Sequence, residues 1–462
     1  MNELFIPHEE IERQYSIAET LKNVTKGKKA AVITFGCQQN ENDSERILGA
    51  LALCGYELTD DSDIADMIII NTCAIREHAE IRALSEAGQF KGRKAADRSI
   101  KIGLCGCMAQ QSHRRDQIYK SYPYVDFVFG TDMLHRLPEI IKTSLESKKR
   151  VSFVTEKPHN EFGVISEGMP VERKSNYKAW VPVMYGCNNF CTYCVVPYAR
   201  GHERSRKYEE ILAEVKSLVE KGYKDITLLG QNVNSYNGGI SFAELLDRCA
   251  SFEGEYRVRF MTSHPKDASS ELVDVIAKNP KVAKHFHLPV QSGSSRVLKL
   301  MNRRYSREQY LEKAMEIKSK IPDISLTTDI ICGFPTETDE DFSETMSLVK
   351  AVGFDMIYTF IYSPRVGTIA AEMEGQIPKN VSNERFKALS DMENDIAQEL
   401  NNAFIGKTVR VLSDGYNKNG VPCGRSTQNK IVTFDRFVPE GEFVDVDIET
   451  AGAYMLGGKI KL

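Results

Sequence analysis

Between Trp180 and Pro364 the chain repeats a short apolar run followed by a helical stretch six times, and no other feature narrows its choice of folds as far. Expected strands are Val181–Tyr185, Ile226–Leu229, Tyr256–Met261, His285–Val290, Ser325–Ile331 and Ile357–Tyr362. Helical patterns such as Glu209–Lys221, Arg307–Lys320 and Asp339–Ala351 lie between them. Repeated β–α units require a parallel sheet with right-handed crossovers, closed or partly closed as a barrel. The strands run into polar or glycine-rich turns: Gly186-Cys187, Gly230-Gln231-Asn232, Thr262-Ser263-His264, Gln291-Ser292-Gly293 and Gly333-Phe334-Pro335. Active sites of such barrels occupy that face.

Two further segments flank this one, and the whole chain is of the α/β class. From Lys29 to about Arg150, strands Ala30–Phe35, Met67–Ile70 and Lys101–Leu104 alternate with helices Asn42–Leu53 and Ile75–Phe90, giving an open α/β domain over residues 28–148. Lys148–Lys178 is polar and reads as a linker, and the central domain spans 173–400, ending in a helical stretch at Asn383–Asn402. In the tail, 401–462, short runs at Val409–Leu412, Lys430–Phe434, Phe443–Ile448 and Lys459–Leu462 predict a small β-barrel.

The 462 residues are 42% hydrophobic and 27% charged, enough for several packed cores. No apolar run reaches the ~20 residues of a membrane helix, and the acidic N-terminus lacks a secretory signal, so a cytoplasmic protein is expected. The net charge of −4 means that any nucleic acid is held by local patches. Eleven cysteines in such a chain argue for metal or redox chemistry over disulfides.

Three cysteines, Cys187, Cys191 and Cys194, share one short loop after the first central strand. Three thiolates so spaced can wrap one face of an iron–sulfur cubane and leave the fourth iron open. A structural zinc site wants four ligands, and no fourth Cys or His is near in the loop; buried structural cysteines are the plainer reading. Each N-terminal strand also runs into cysteine, at Cys37, Cys73 and the pair Cys105/Cys107, where the carboxyl ends of parallel strands gather ligands. Cys54, Cys249, Cys332 and Cys423 have no partner motif and read as buried small residues.

The Cys-x3-Cys-x2-Cys loop, with Tyr193 before its last cysteine, resembles the radical-SAM signature. Gly36-Cys37-Gln38-Gln39-Asn40, Asn71-Thr72-Cys73 and Gly106-Cys107-Met108-Ala109-Gln110 resemble the N-terminal motifs of the methylthiotransferase family, and the likeness covers nearly the whole chain. The resemblance implies two [4Fe–4S] clusters, an auxiliary one on Cys37, Cys73 and Cys107 and a radical-SAM one on Cys187, Cys191 and Cys194. It implies a central partial (β/α)6 barrel and a C-terminal TRAM barrel, marked by Gly424-Arg425-Ser426 and Asn429-Lys430, that binds RNA. Leu229–Tyr236 and Tyr362-Ser363-Pro364-Arg365 resemble the branch that methylthiolates C2 of N6-isopentenyladenosine beside the tRNA anticodon, with two S-adenosylmethionine molecules serving as methyl donor and radical source.

The resemblance further implies S-adenosylmethionine contacts from Tyr193, Gly230, Gln231, Asn232, Asp329 and Gly333, and RNA contacts from Arg425 and Lys430; the basic run Arg200, Arg204, Arg206 and Lys207 after the cluster loop is suited to RNA phosphates or to the cofactor carboxylate. As bare sequence these are a structural aromatic, turns and a solvated basic run. Cys105 rivals Cys107 as a ligand, and the Gly-Cys-Met-Ala-Gln match favours Cys107. Partners implied are the tRNA anticodon stem-loop, an electron donor such as flavodoxin or ferredoxin, and a sulfur-supplying cluster-repair protein. The competing functions are methylthiolation of threonylcarbamoyl-adenosine tRNA or of a ribosomal-protein aspartate and, in another class, a non-catalytic iron–sulfur RNA-binding protein.

Overall fold

The computed structural model describes residues 5–74, 77–155, 165 and 167–461. The start of the expected helix at Ile75, part of the expected linker, and Leu462 lie outside the described residues. The chain divides into two compact units. One comprises Met1–Lys174, Met184–Phe190 and Cys194–Arg206; the other comprises Ser175–Val183, Cys191–Tyr193 and Lys207–Leu462.

In the first unit six strands form one parallel sheet: β1 (Lys29–Thr34), β2 (Glu57–Leu58), β3 (Met67–Thr72), β4 (Lys101–Gly106), β5 (Phe127–Phe129) and β6 (Val151–Phe153). Their order across the sheet is β2-β1-β3-β4-β5-β6. Every residue of β3 is buried, as a central parallel strand covered on both faces must be. One face packs Ile47, Leu51, Met67, Ile69, Leu137 and Ile140; the other packs Ile68, Ile70, Ala83, Phe90 and Leu104. The expected linker contributes the edge strand β6, so it is partly structural. A helix that the sequence pattern does not reveal, His8–Thr25, packs Ala18 and Leu21 on the first of these faces. Its buried stripe is half polar, with Gln14 and Thr25, and so carries little hydrophobic period.

The first central strand starts and ends three residues earlier than expected. Strand β7 (Lys178–Pro182) ends at a proline, which cannot donate to a ladder. Beyond it, β8 (Met184–Tyr185) pairs antiparallel with β9 (Arg204–Ser205) in the first unit.

The second unit holds β10 (Asp225–Leu229), β11 (Arg257–Phe260), β12 (His285–His287), β13 (Ser325–Cys332) and β14 (Met356–Ile361). They form two three-stranded parallel sheets, β11-β10-β7 and β12-β13-β14, linked by a parallel bridge between Val258 and Val282. The six expected strands therefore make a partial barrel.

The same unit ends in a closed barrel, β15 (Thr408–Tyr416), β16 (Pro422–Ser426), β17 (Ile431–Phe434), β18 (Phe443–Ala451) and β19 (Met455–Ile460), in the order β15-β16-β17-β19-β18. Val411, Val432, Val446 and Leu456 fill it. Strand β16, Pro-Cys-Gly-Arg-Ser, is not among the expected runs because its strand propensity is poor. Gly424 fits there because a Cβ would stand 2.2 Å from the Leu412 carbonyl oxygen. Small barrel and central strands share a unit because polar ties join them. Arg257 donates to the Ser426 carbonyl at 2.9 Å, as does Arg259 at 3.2 Å, and Tyr177 bonds Asp414.

Lys430 is one of those ties. Its Nζ lies 2.6 Å from Asp355 and 2.7 Å from the Asn401 side chain, and it is only 9% exposed. Burial and pairing remove it from the expected RNA contacts. Lys430→Ala leaves the part-buried Asp355 carboxylate with only the Leu326 N–H among the described residues, so it should cost about 1–3 kcal/mol. A lowered urea midpoint with unchanged tRNA affinity of the folded protein checks this; lost affinity without lost stability contradicts it.

Candidate metal centre

In the first unit the strands that carry Cys37, Cys73 and Cys107 are neighbours in the sheet, and their register brings their carboxyl ends level. Thr34 pairs with Asn71, and Thr72 with Gly106, so all three cysteines leave the same sheet edge one to three residues later. Tight backbone makes this approach possible. Gly36 has φ +131°, and a Cβ on it would meet the Cys73 Cβ at 2.8 Å. Gly106, at φ +90°, leaves no room for a Cβ against the Thr72 carbonyl oxygen, 2.4 Å away.

Asn40 braces this edge. Its Nδ2 donates to the carbonyls of Phe35 (2.8 Å) and Thr72 (3.0 Å), its own carbonyl accepts from Asn71 Nδ2 at 2.9 Å, and its Oδ1 lies 3.9 Å from Cys37 Sγ. Cys37 stands at the start of the 16-residue helix Gln38–Leu53, with extended backbone. Cys107 is buried, and burial pushes its thiol up to about 12, opposed by Arg200. Among the described residues no three Cys, His, Asp or Glu groups already close into metal-ligating geometry. The fold supplies the donor set: three sulfurs on one edge, with the cationic Arg200 3.2 Å from Cys107 Sγ. That set suits an iron–sulfur cluster, whose iron favours thiolate. Cys105 faces elsewhere, into the apolar layer with Leu51, Phe127 and Phe129.

The cysteine loop itself is divided, with Cys187 and Cys194 in the first unit and Cys191 in the second. Cys187 N donates to Gly201 O at 3.2 Å, and His202 Nδ1 lies 2.7 Å from Asn188 Oδ1. The basic run after the loop departs from expectation. Arg200, Arg204 and Arg206 are only 6%, 7% and 4% exposed. Arg200 pairs with Asp43 at 2.7 Å, Arg204 donates to the carbonyls of Arg200 and His202, and Arg206 lies 3.3 Å from Glu167. Burial pushes Arg204 down to about 10. These guanidiniums hold the protein together and offer no solvated face for phosphates; Lys207 alone of the run is exposed.

In the second unit Cys191 is buried, and Arg303 Nη1 stands 3.5 Å from its sulfur. Arg303 is fixed by Pro289 O (2.8 Å) and Tyr305 Oη (2.8 Å). Thr192 bonds the backbone of Leu300, Met301 and Ala370, and Tyr193 packs on a cluster of Val297, Met301, Ile331, Phe334 and Ala370. At the end of β10, Gln231 Oε1 and Asn232 Oδ1 are buried without a hydrogen-bond partner among the described residues, while Asn232 Nδ2 is held by Asp267 at 2.9 Å. Two orphaned acceptors fit an incoming amino group. Thr262, Gln291 and Thr336, just past other strand ends, take left-handed φ of 47°, 74° and 67°, strain typical of functional turns.

Asp329 lies on β13, 3.5 Å from His287 Nε2 and partly exposed. Gly333 serves the turn: its N–H goes to Glu337 at 2.7 Å, and a Cβ would strike Ser382. In the small barrel Arg425 is half-exposed and donates to Asn429 O at 3.2 Å. Cys54, Cys249, Cys332 and Cys423 are buried as expected. Sequence reasoning missed Asp43, Glu167 and Arg303. The stretch Gln39–Arg46 is polar, yet apart from half-buried Glu41 all of it is buried.

Residues 181–349 match the Radical SAM superfamily, and residues 29–130 match the uncharacterized protein family UPF0004. The tRNA-2-methylthio-N(6)-dimethylallyladenosine synthase of Acetivibrio thermocellus is 46% identical over 99% of this chain and 98% of its own length. The enzyme of the same name from Clostridium perfringens strain SM101 is 48% identical over 96% of this chain and 99% of its own. The chain belongs to this methylthiotransferase family. Among solved structures, the radical S-adenosylmethionine methyltransferase TsrM from Kitasatospora setae, with cobalamin and a [4Fe-4S] cluster bound, superposes with a TM-score of 0.54 at 12% identity, over 74% of this chain and 77% of its own. At that identity the likeness speaks for the fold.

For a methylthiotransferase with this sheet edge, Cys107→Ala should lose the N-terminal iron, whereas Cys105→Ala, a cavity change in an apolar layer, should keep it. Iron and sulfide content of the two purified variants checks this; the opposite pattern makes Cys105 the ligand.

Proposed function

We infer that this methylthiotransferase converts the C2–H bond of N6-isopentenyladenosine, next to the tRNA anticodon, into C2–SCH3. The observation that carries this reading is the shared register of β1, β3 and β4, which brings a second thiol trio, Cys37, Cys73 and Cys107, to one sheet edge. When bound, two [4Fe–4S] clusters and two S-adenosylmethionine molecules supply the sulfur, the methyl group and the 5′-deoxyadenosyl radical that this conversion needs.

The chain's own residues bind and orient. Cys37, Cys73 and Cys107 would hold the sulfur-donating cluster, and Cys187, Cys191 and Cys194 the one that faces S-adenosylmethionine. Gln231 Oε1 and Asn232 Oδ1, buried without a partner among the described residues, would accept from the methionine amino group. Tyr193 belongs to an apolar floor suited to the cofactor's adenine. Asp329, partly exposed on β13, is suited to a ribose hydroxyl.

For RNA, the small barrel offers Arg425 and an exposed stacked pair, Tyr416 and Phe437, with centroids 5.0 Å apart and planes 16° from parallel. Exposed rings of that kind suit unpaired bases. We further propose that the protein works in the cytoplasm, taking electrons from a flavodoxin or ferredoxin and sulfur from a cluster-repair protein. Consistent with this, no helix among the described residues is long and apolar enough to cross a membrane.

The prenyl group is the specificity handle. At ~0.8 kcal/mol per buried CH₂, burying it contributes about 3–4 kcal/mol, a several hundredfold preference. tRNA bearing isopentenyladenosine should therefore be methylthiolated, and tRNA from a strain lacking the prenyl group turned over several hundredfold more slowly, as measured by nucleoside mass spectrometry. Equal rates, or product only on threonylcarbamoyl-adenosine, contradict the substrate. Methylthiolation of a ribosomal-protein aspartate would make the substrate a protein. No cleavage of S-adenosylmethionine at all would make the chain a non-catalytic iron–sulfur RNA-binding protein.

A further inference from the structure

One buried cation in the first unit is spent on a sulfur. Arg200 ends the short helix Val196–Arg200 that begins two residues after Cys194. Its guanidinium is buried, and its three observed bonds use two of its nitrogens. Nη2 donates to Asp43 Oδ2 at 2.7 Å and to Asn40 Oδ1 at 2.8 Å. Those bonds satisfy the charge and fix the plane of the fork. With the plane fixed, Nε–H points at Cys107 Sγ, 3.2 Å away.

A residue needed only to neutralise Asp43 has no reason to turn its third donor onto a sulfur. A residue needed only to fill space would not be a guanidinium, since burying one is costly unless its charge is paired and hydrogen-bonded. Asn40, the second acceptor, is the side chain that ties the carbonyls before Cys37 and Cys73 together. Arg200 thus touches the brace of two cysteine turns and the sulfur of the third. It does so from a point six residues along the chain from Cys194.

We propose that Arg200 is a positioning residue for the auxiliary cluster: its Nε–H bond to Cys107 sulfur sets that cluster's reduction potential and orients its thiolate. This rests on the assignment of Cys37, Cys73 and Cys107 as ligands. A donor to a coordinating sulfur draws electron density off it and stabilises the reduced cluster, so hydrogen bonds to sulfur raise the potential. Lysine at 200 would retain the charge for Asp43 but has no planar fork to aim a second donor.

The test uses the full chain with Cys187, Cys191 and Cys194 changed to Ala, so that one cluster remains, and compares Arg200, Arg200→Lys and Arg200→Gln. Iron content, circular dichroism, electron paramagnetic resonance and potentiometric titration are read without tRNA. Arg200→Lys should keep its iron and fold, shift the midpoint to more negative potential and alter the resonance g-values; Arg200→Gln should shift further in the same direction. Unchanged potential and g-values in either iron-bearing variant overturn the proposal. Loss of iron from Arg200→Lys with the fold intact also overturns it, leaving Arg200 a structural residue. An unsubstituted Arg200 background that holds no iron refutes the ligand assignment instead.

Discussion

The side-by-side register of β1, β3 and β4 is the constraint on which the first unit's chemistry depends. Parallel strands held level by Thr34–Asn71 and Thr72–Gly106 deliver cysteines 36 and 34 residues apart in sequence to one edge. Hydrogen bonding of the sheet sets this placement before any metal arrives. A slip of one residue would turn a strand's side chains to the opposite layer. Cys105 and Cys107 illustrate the point. Cys105, within β4, belongs to the packed layer, whereas Cys107, beyond the strand's end, escapes the alternation and joins Ala74, Val195 and Ala199.

The electrostatics follow the same logic. The chain is acidic overall, yet it places guanidiniums in its interior. Arg200 and Arg303 each aim a nitrogen at a cysteine sulfur, at 3.2 and 3.5 Å, one in each compact unit. Arg46 and Arg206 meet on Glu167, whose carboxyl stays below its usual range because these cations, with the Tyr185 hydroxyl, outweigh its burial. Cluster-bearing cysteines are anionic as a set, and fixed cations nearby lower the cost of burying that charge.

Much of this was legible in the sequence. The periodic strands of the second unit, the helix Arg307–Lys320 and the cysteines at strand ends all follow from apolar period and turn chemistry. The buried side of the polar residues was not legible. Arg200, Arg204 and Arg206 look like a solvated basic run because one-dimensional charge carries no record of Asp43 or Glu167, which are more than thirty residues away in sequence. Lys430 looks available to RNA for the same reason, its partner Asp355 lying 75 residues earlier. Strand β16 hides behind a proline and a glycine, of which Gly424 is required by close packing against Leu412.

If one chain carries two separately held clusters, metal content is the most direct measure of it. Anaerobically reconstituted protein should hold about eight iron and eight sulfide per chain, with a Mössbauer spectrum of [4Fe–4S] type. Changing Cys37, Cys73 and Cys107 together to Ala should leave about four of each, and so should changing Cys187, Cys191 and Cys194. If either triple variant kept the full complement, or either lost all of it while still folded, the two sites would not be independent and the two-cluster assignment would be wrong.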